Sequence, residues 1–234
     1  RCTKGFEYNS RGGSAIRIGL TGSKGFIGSH LARCLDDPML FESDLTDIND
    51  ACDFVSDCDR IYHFAGKNRE PLGDILKNNI LSTSNLILAT KVKKVNPEII
   101  FASSQQVIWN SDSEYGFTKG VEEEIVKKAN KWCIFRIPNV YGPGGKPFYN
   151  SVIATFCYQL CRGESVTIHD PSVKREFIFI DDLVDQLLNP EFNMQKSLKG
   201  ETMTIGEIYF LLTKGLGMHK KLEKCMQYYK ELVD

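Results

Sequence analysis

The chain is short of several things, and each shortage removes a class of function. Its 234 residues hold 29 Lys and Arg against 30 Asp and Glu, a formal charge of −1. Nucleic-acid binders usually carry a marked basic excess, so no nucleic-acid partner is expected. No apolar run approaches the roughly 18 residues that a bilayer span needs. No secretory leader is visible either, and a cytoplasmic protein without a membrane partner is expected. Eight cysteines are present, but none forms a CxxC pair. Scattered thiols of this kind pack as small buried hydrophobes in a reducing compartment. Cys157 and Cys161 could share a helix face, yet no histidine stands at ligand spacing beside them, so no metal site is expected. Internal repeats and low-complexity tracts are missing too. What remains is ordinary for a globular chain: 42% hydrophobic and 25% charged residues.

From Ile16 onward the apolar pattern alternates between short β-rich runs and helical spacing. "IRIGLTG", "MLFES", "RIYHFAG", "EIIFASS" and "KWCIFRI" read as strands. "FIGSHLARCLDD", "TDINDACDFVSDC", a long stretch from about Pro71 to Lys94, and "YGFTKGVEEEIVKKAN" read as the helices between them. Such alternation predicts βαβ units and a parallel sheet, a doubly wound Rossmann-type α/β domain. After Pro143 the rhythm changes. "NSVIATFCYQLCRG" and "DLVDQLL" read as helices, "SVTIHD" and "REFIFIDD" as strands, and two more helices are expected near Thr204–Leu216 and His219–Val233. The expected organisation is an extension over residues 1–15, a dinucleotide-binding domain over 16–142, and a smaller mixed α/β substrate lobe over 143–234.

"LTGSKGFIGSHL" places Gly22, Gly25 and Gly28 three apart, after the first strand and at the start of the first helix. In that context Gly22 permits a tight turn, Gly25 lets backbone approach a pyrophosphate, and Gly28 allows close helix–strand packing. Phe26 and Ile27 fall at the helix N-terminus, where free N–H groups and the dipole favour phosphate. "SEYGFTKG" sets Tyr115 and Lys119 one helical turn apart. Alone, such a pair is a surface contact worth a few tenths of a kcal/mol.

The TGxxGxxG spacing together with YxxxK resembles the extended short-chain dehydrogenase/reductases, the branch of nucleotide-sugar epimerases, dehydratases and reductases. The resemblance covers about residues 16–190. It implies that Tyr115 is the general acid/base, Lys119 its electrostatic partner, and Ser104 of "FASSQQ" the hydroxyl that holds the substrate oxygen, with Ser103 beside the cofactor. The chemistry suits these groups. A phenol of pKa about 10 recovers poorly as a base near neutrality, and a nearby ammonium favours its phenolate. A hydroxyl aimed at the developing oxyanion adds electrostatic stabilisation.

The same resemblance assigns Phe64, Ala65 and Gly66 of "HFAG" to the cofactor side, with His63 structural. It makes Asn79 a helix asparagine supporting the active-site backbone, and places Pro138 and Asn139 of "RIPNVYGPG" over cofactor and substrate. Arg175 matches an arginine that meets nucleotide phosphates, although a surface pair with Glu176 or Asp181 would explain it equally well. Asp44 lies 22 positions after Gly22, near the spacing of a ribose-binding acid. That favours NADH over NADPH, unless Asp44 caps the next helix or contacts adenine.

"GKPFYNSVIATFCYQLCRGESVTIHDP", which includes Asn150, resembles the start of the substrate lobe in capsular-polysaccharide UDP-sugar reductases of the UDP-N-acetyl-L-fucosamine pathway. The implied reaction is NAD(P)H-dependent reduction of the C4 ketone of a UDP- or dTDP-linked 4-keto-6-deoxy sugar, by a homodimer. Such reductases often continue into a metal-binding cupin domain. A nucleotide-sugar epimerase with retained NAD is the alternative. A 4,6-dehydratase fits less well, because Gln105 and Gln106 cannot ionise where its acid and base would stand. A non-catalytic dinucleotide sensor would have no need of the proton-transfer set.

Overall fold

A computed structural model describes residues 16–68, 72–214, 217 and 219–233. The stretch 1–15 and the Pro71 and Leu216 ends of two expected helices lie outside the described residues. The chain forms two compact units: one comprises residues up to Ile137 plus Leu187–Ser197, the other Pro138–Gln186 plus Leu198 onward.

The first unit is a six-stranded sheet in which every neighbouring pair is parallel. It contains β1 (Ile18–Thr21), β2 (Met39–Leu40), β3 (Arg60–His63), β4 (Glu98–Ser104), β5 (Lys131–Ile137) and β8 (Met194–Ser197), in the order β2-β1-β3-β4-β5-β8. Helices α1 (Phe26–Ala32), α2 (Ile48–Ser56), α3 (Leu72–Val92), the one-turn α4 (Gln106–Trp109) and α5 (Glu114–Val126) connect the strands. Strand alternation sends Ile61, Ile99, Phe101 and Ile134 to one face, where they bury against Ala51, Val55, Leu86, Ile87 and Val126 of α2, α3 and α5. The order reverses at β1, since β2 lies on one side of it and β3 on the other. The C-terminal ends of β1 and β3 therefore flank a topological switch point, the place where open α/β sheets bind ligands.

Several elements differ from expectation. β2 is only two residues long, although Phe41 N–H still donates to Leu20 C=O at 2.9 Å. α1 stops at Ala32, well before Pro38. β8 comes from the stretch assigned above to the second lobe, yet it pairs with β5 in the first sheet.

The second unit holds a three-stranded mixed sheet of β6 (Asn139–Tyr141), β7 (Lys174–Phe179) and β9 (Glu201–Thr204). β6 runs parallel to β7, and β9 runs antiparallel to it. With these go α6 (Val152–Cys161), α7 (Ile180–Leu187), α8 (Ile205–Thr213) and α9 (Lys220–Val233). "SVTIHD" is not a strand. It is largely exposed, pairs with no neighbour, and ends in a turn where Asp170 accepts from Ser172 N–H at 2.8 Å. Strand propensity without a partner edge is not enough.

Candidate active site

The glycine turn sits at the switch point. Gly22 adopts φ +75°, and a Cβ there would stand 2.5 Å from the Phe64 carbonyl carbon. Any side chain would separate the turn from the end of β3. At Gly28 a Cβ would meet the Gly22 oxygen at 2.1 Å, so α1 packs onto its own leading turn only without one. Gly25, the N-cap of α1, is less crowded, with 3.2 Å to the same oxygen.

Tyr115 is the second residue of α5, and Lys119 lies one turn on, buried. Ser113 caps this helix, accepting from Gly116 N–H at 3.1 Å. The Lys119 Nζ stands 4.5 Å from the Phe101 ring centroid and 3.1 Å from Glu122 Oε2. Gly66 is close to it as well, since a Cβ there would lie 3.5 Å from Nζ. Burial alone would lower the lysine's pKa, but Glu122, Tyr115 and Glu123 together hold it above its usual value. Ser104 ends β4, half-buried, its Oγ accepting from Gln106 N–H at 3.2 Å. Ser103 points the other way and donates to Glu123 Oε1 at 2.5 Å. Its hydroxyl is therefore spent inside the unit, leaving only its backbone for a cofactor.

Behind Lys119 runs a buried polar chain whose directions can be assigned. Thr83 Oγ donates to Glu122 Oε1 at 2.7 Å. That spends its proton, so in its 2.9 Å contact with His63 Nε2 the histidine must be the donor. His63 Nδ1 then accepts from Thr21 Oγ at 2.8 Å. Thr21 Oγ in turn accepts the Phe64 and Ala65 N–H groups at 3.2 and 3.1 Å. Burial first, and then the charge on Lys119, push the His63 pKa down to about 3, so the ring is neutral. His63 thus joins β1, β3 and α3 as a fixed tautomer.

Asn79 grips the loop after β3 at two points: Oδ1 accepts from Lys67 N–H and Nδ2 donates to Lys67 C=O, each at 2.8 Å. Asp44 is exposed and accepts from Thr46 N–H at 2.8 Å, a contact that lowers its pKa. It does not cap α2, because that role falls to Asp47. Glu42, nearer the end of β2, pairs with Lys24 of the glycine turn at 3.2 Å. In the second unit, Asn139 Nδ2 donates to Glu176 C=O at 3.0 Å and ties β6 to β7. Asn150 and Arg175 are exposed, and Pro138 opens the unit. The carboxylates suggested above as surface partners of Arg175 have other contacts: Glu176 accepts from Gly200 N–H and Asp181 faces Lys224.

Sequence reasoning missed Thr21, Thr83, Glu122, Glu123 and Arg136. Glu122 to Glu124 are three consecutive acids on one helix, yet the first two are buried and Glu124 faces solvent, beside Lys127 at 2.6 Å. Thr21, standing just before the glycine turn, carried the one usable signal. Among the described residues no three metal-ligating side chains cluster.

Residues 18–206 match the NAD dependent epimerase/dehydratase family. The chain belongs to that family. Its members are extended short-chain dehydrogenase/reductases, NAD(P)-dependent oxidoreductases and epimerases. Among curated relatives, the chain is 30% identical over 182 residues to the UDP-2-acetamido-2,6-beta-L-arabino-hexul-4-ose reductase of Pseudomonas aeruginosa, covering 72% of this chain and 48% of that protein. It therefore spans about half the length of that relative. Its fold is similar to that of the capsular polysaccharide assembling protein CapF of Staphylococcus aureus, with TM-score 0.70 and 27% identity over 94% of this chain and 66% of CapF. The UDP-glucose 4-epimerase of Thermotoga maritima, solved with UDP-glucose, superposes with TM-score 0.82 at 18% identity, covering 94% of this chain and all 100% of that one. The residues present suit a nicotinamide dinucleotide. Gly22, Gly25 and Gly28 leave the turn at the switch point without Cβ atoms at three places, and the Lys119 ammonium stands beside Gly66.

Proposed function

We propose that this chain is an NAD(P)H-dependent reductase of the C4 ketone of a nucleotide-linked 4-keto-6-deoxy sugar, a UDP-sugar above all, in surface-polysaccharide precursor synthesis. The observation that carries the reading is the Lys119 ammonium, buried next to Tyr115 and beside the loop that leaves the switch point. Similarity to the Pseudomonas reductase supports the choice of reaction. A bound reduced nicotinamide supplies the hydride. As charge grows on the C4 oxygen, Tyr115 donates its phenolic proton to it. Lys119 stabilises the phenolate left behind, and the Ser104 hydroxyl donates to the same substrate oxygen. Asn79 and Thr21 hold the loop on which the cofactor would lie. Pro138, Asn139, Asn150 and Arg175 belong to the part of the chain that would meet the sugar nucleotide.

NADH is the preferred cofactor in this reading, since Asp44 puts negative charge after β2, where a 2′-phosphate would be repelled. A homodimer in the cytoplasm completes it. The test is mass spectrometry of products from UDP- and dTDP-4-keto sugars incubated with NADH or NADPH. One reduced cofactor should be consumed per sugar reduced. Tightly held NAD, with a UDP-hexose interconverted and no cofactor consumed, would make the chain an epimerase instead.

A further inference from the structure

Glu122 is a fully buried carboxylate that the proton transfer just described does not use. Oε1 takes the Thr83 proton at 2.7 Å. Oε2 faces Lys119 Nζ at 3.1 Å and has no hydrogen bond of its own among the described residues. An anion so placed is costly unless it is needed to balance a cation. The surroundings show that Lys119 is that cation. From β3, His63 is neutral and reaches Glu122 only through Thr83. From β4, Phe101 offers a ring face and Ser103 is occupied with Glu123. From β5, Arg136 is held bidentate by Glu123 at 2.9 and 2.7 Å. From α3, Asn79 is engaged with Lys67 backbone. On α5 itself there remain Tyr115 and Glu123, and Glu123 is already shared between Arg136 and Ser103. Among the described residues Glu122 is the one carboxylate that forms an ion pair with the lysine.

We propose that Glu122 is a positioning residue that keeps Lys119 charged inside the desolvated site, clamped in place by the Thr83–His63–Thr21 chain to the strand that carries the glycine turn. A buried lysine without a counter-charge releases its proton readily. A neutral amine could neither steady a Tyr115 phenolate nor hold the pair's electrostatics constant across working pH. This rests on the reading of Tyr115 and Lys119 as the reactive pair. The ionisation of Lys119 can nevertheless be measured without substrate or dinucleotide, so the two can fail separately.

The experiment is an NMR titration of protein carrying ¹³Cε-labelled lysine, with the Lys119 signal assigned by its loss in Lys119→Met. Wild-type Lys119 should remain charged beyond the ordinary lysine midpoint of about 10.4. Glu122→Gln, which keeps the volume and an acceptor for Thr83, should lower that midpoint by about 1–3 pH units. Glu122→Asp should restore most of the wild-type value. NADH affinity of Glu122→Gln should then weaken as pH rises through the new midpoint, while wild type stays level. A Glu122→Gln midpoint equal to wild type overturns the proposal. So does NADH binding weakened equally at every pH, the sign of a packing role alone. Should Glu122→Gln not fold, wild type still decides: a Lys119 midpoint below the ordinary value refutes the idea.

Discussion

Glu122 and Glu123 are neighbours on one helix, both buried, and they serve two regions of different character. Glu123 is closed on all sides. Arg136 grips both oxygens and Ser103 donates to one of them. The Gln195 amide, turned with its oxygen toward the guanidinium, accepts from Arg136 Nη2 at 2.7 Å. This knot ties β4, α5, β5 and β8 together and has no side chain left over. Glu122 shares its cation with Tyr115, and its own contacts lead through two threonines and a histidine to the glycine turn. A satisfied buried pair holds elements in register. In the proposed mechanism, a pair with one member open to the Tyr115 phenol sets the state of that phenol. Burial and charge are alike at the two positions, and the difference lies in what else touches the partner.

Variants can break this contrast. The largest effect is expected from Tyr115→Phe, which should cut turnover by about 10²–10⁴-fold while dinucleotide affinity and melting temperature stay near wild type. Activity within threefold of wild type would remove Tyr115 from the chemistry. Arg136→Met strands the Glu123 charge and should cost about 3–5 kcal/mol of folding stability in urea titrations. The surviving folded protein should turn over almost normally, and a specific loss of turnover would erase the distinction between the two carboxylates.

His63 gives a smaller, pH-dependent effect. Its folded pKa of about 3 lies below the unfolded 6.5, so below 6.5 the unfolded chain binds the extra proton. Stability is complete above that value and declines toward pH 3, by up to about 1.4 kcal/mol per pH unit from this one group. Urea melts at pH 7, 6 and 5 should show that slope, and His63→Gln should flatten it. The exposed Asp44 marks the weak end of the scale. Asp44→Asn should narrow the preference for NADH over NADPH by a factor of about two to five, since solvent screens its charge. Titration of both cofactors reads this out, and tighter NADPH binding by wild type would refute the preference.

The sequence made the local parts of this site legible and hid the distant ones. Gly22, Gly25 and Gly28 form one short stretch and Tyr115 and Lys119 another, and within each, turn geometry and helical period act directly. Glu122 and Glu123 could not be separated from Glu124 by pattern, because β4, β5 and α3 decide which of the three is covered. β8 was unreadable for a related reason. Met194–Ser197 has little strand character, and its pairing comes from the open edge of β5. The converse error was "SVTIHD", a good strand sequence with no edge to join. Ser103 and Ser104 were told apart by resemblance. In the structure strand alternation turns Ser103 toward Glu123, while Ser104 stands at the end of β4 and accepts from Gln106 N–H.

The grip of Asn79 on Lys67 imitates a peptide group. A side-chain amide offers one donor and one acceptor in a plane, the same pair that a neighbouring strand would present. Helix α3 thereby gives the Lys67 backbone, beyond the end of β3, the two hydrogen bonds that a neighbouring strand would give. The backbone at Lys67 should exchange its amide hydrogen at the slow pace of a strand, although no strand reaches it. Asn79→Asp, alike in shape, keeps the acceptor and loses the donor, so it would undo one of those two bonds and release the loop to the exchange rate of an ordinary turn.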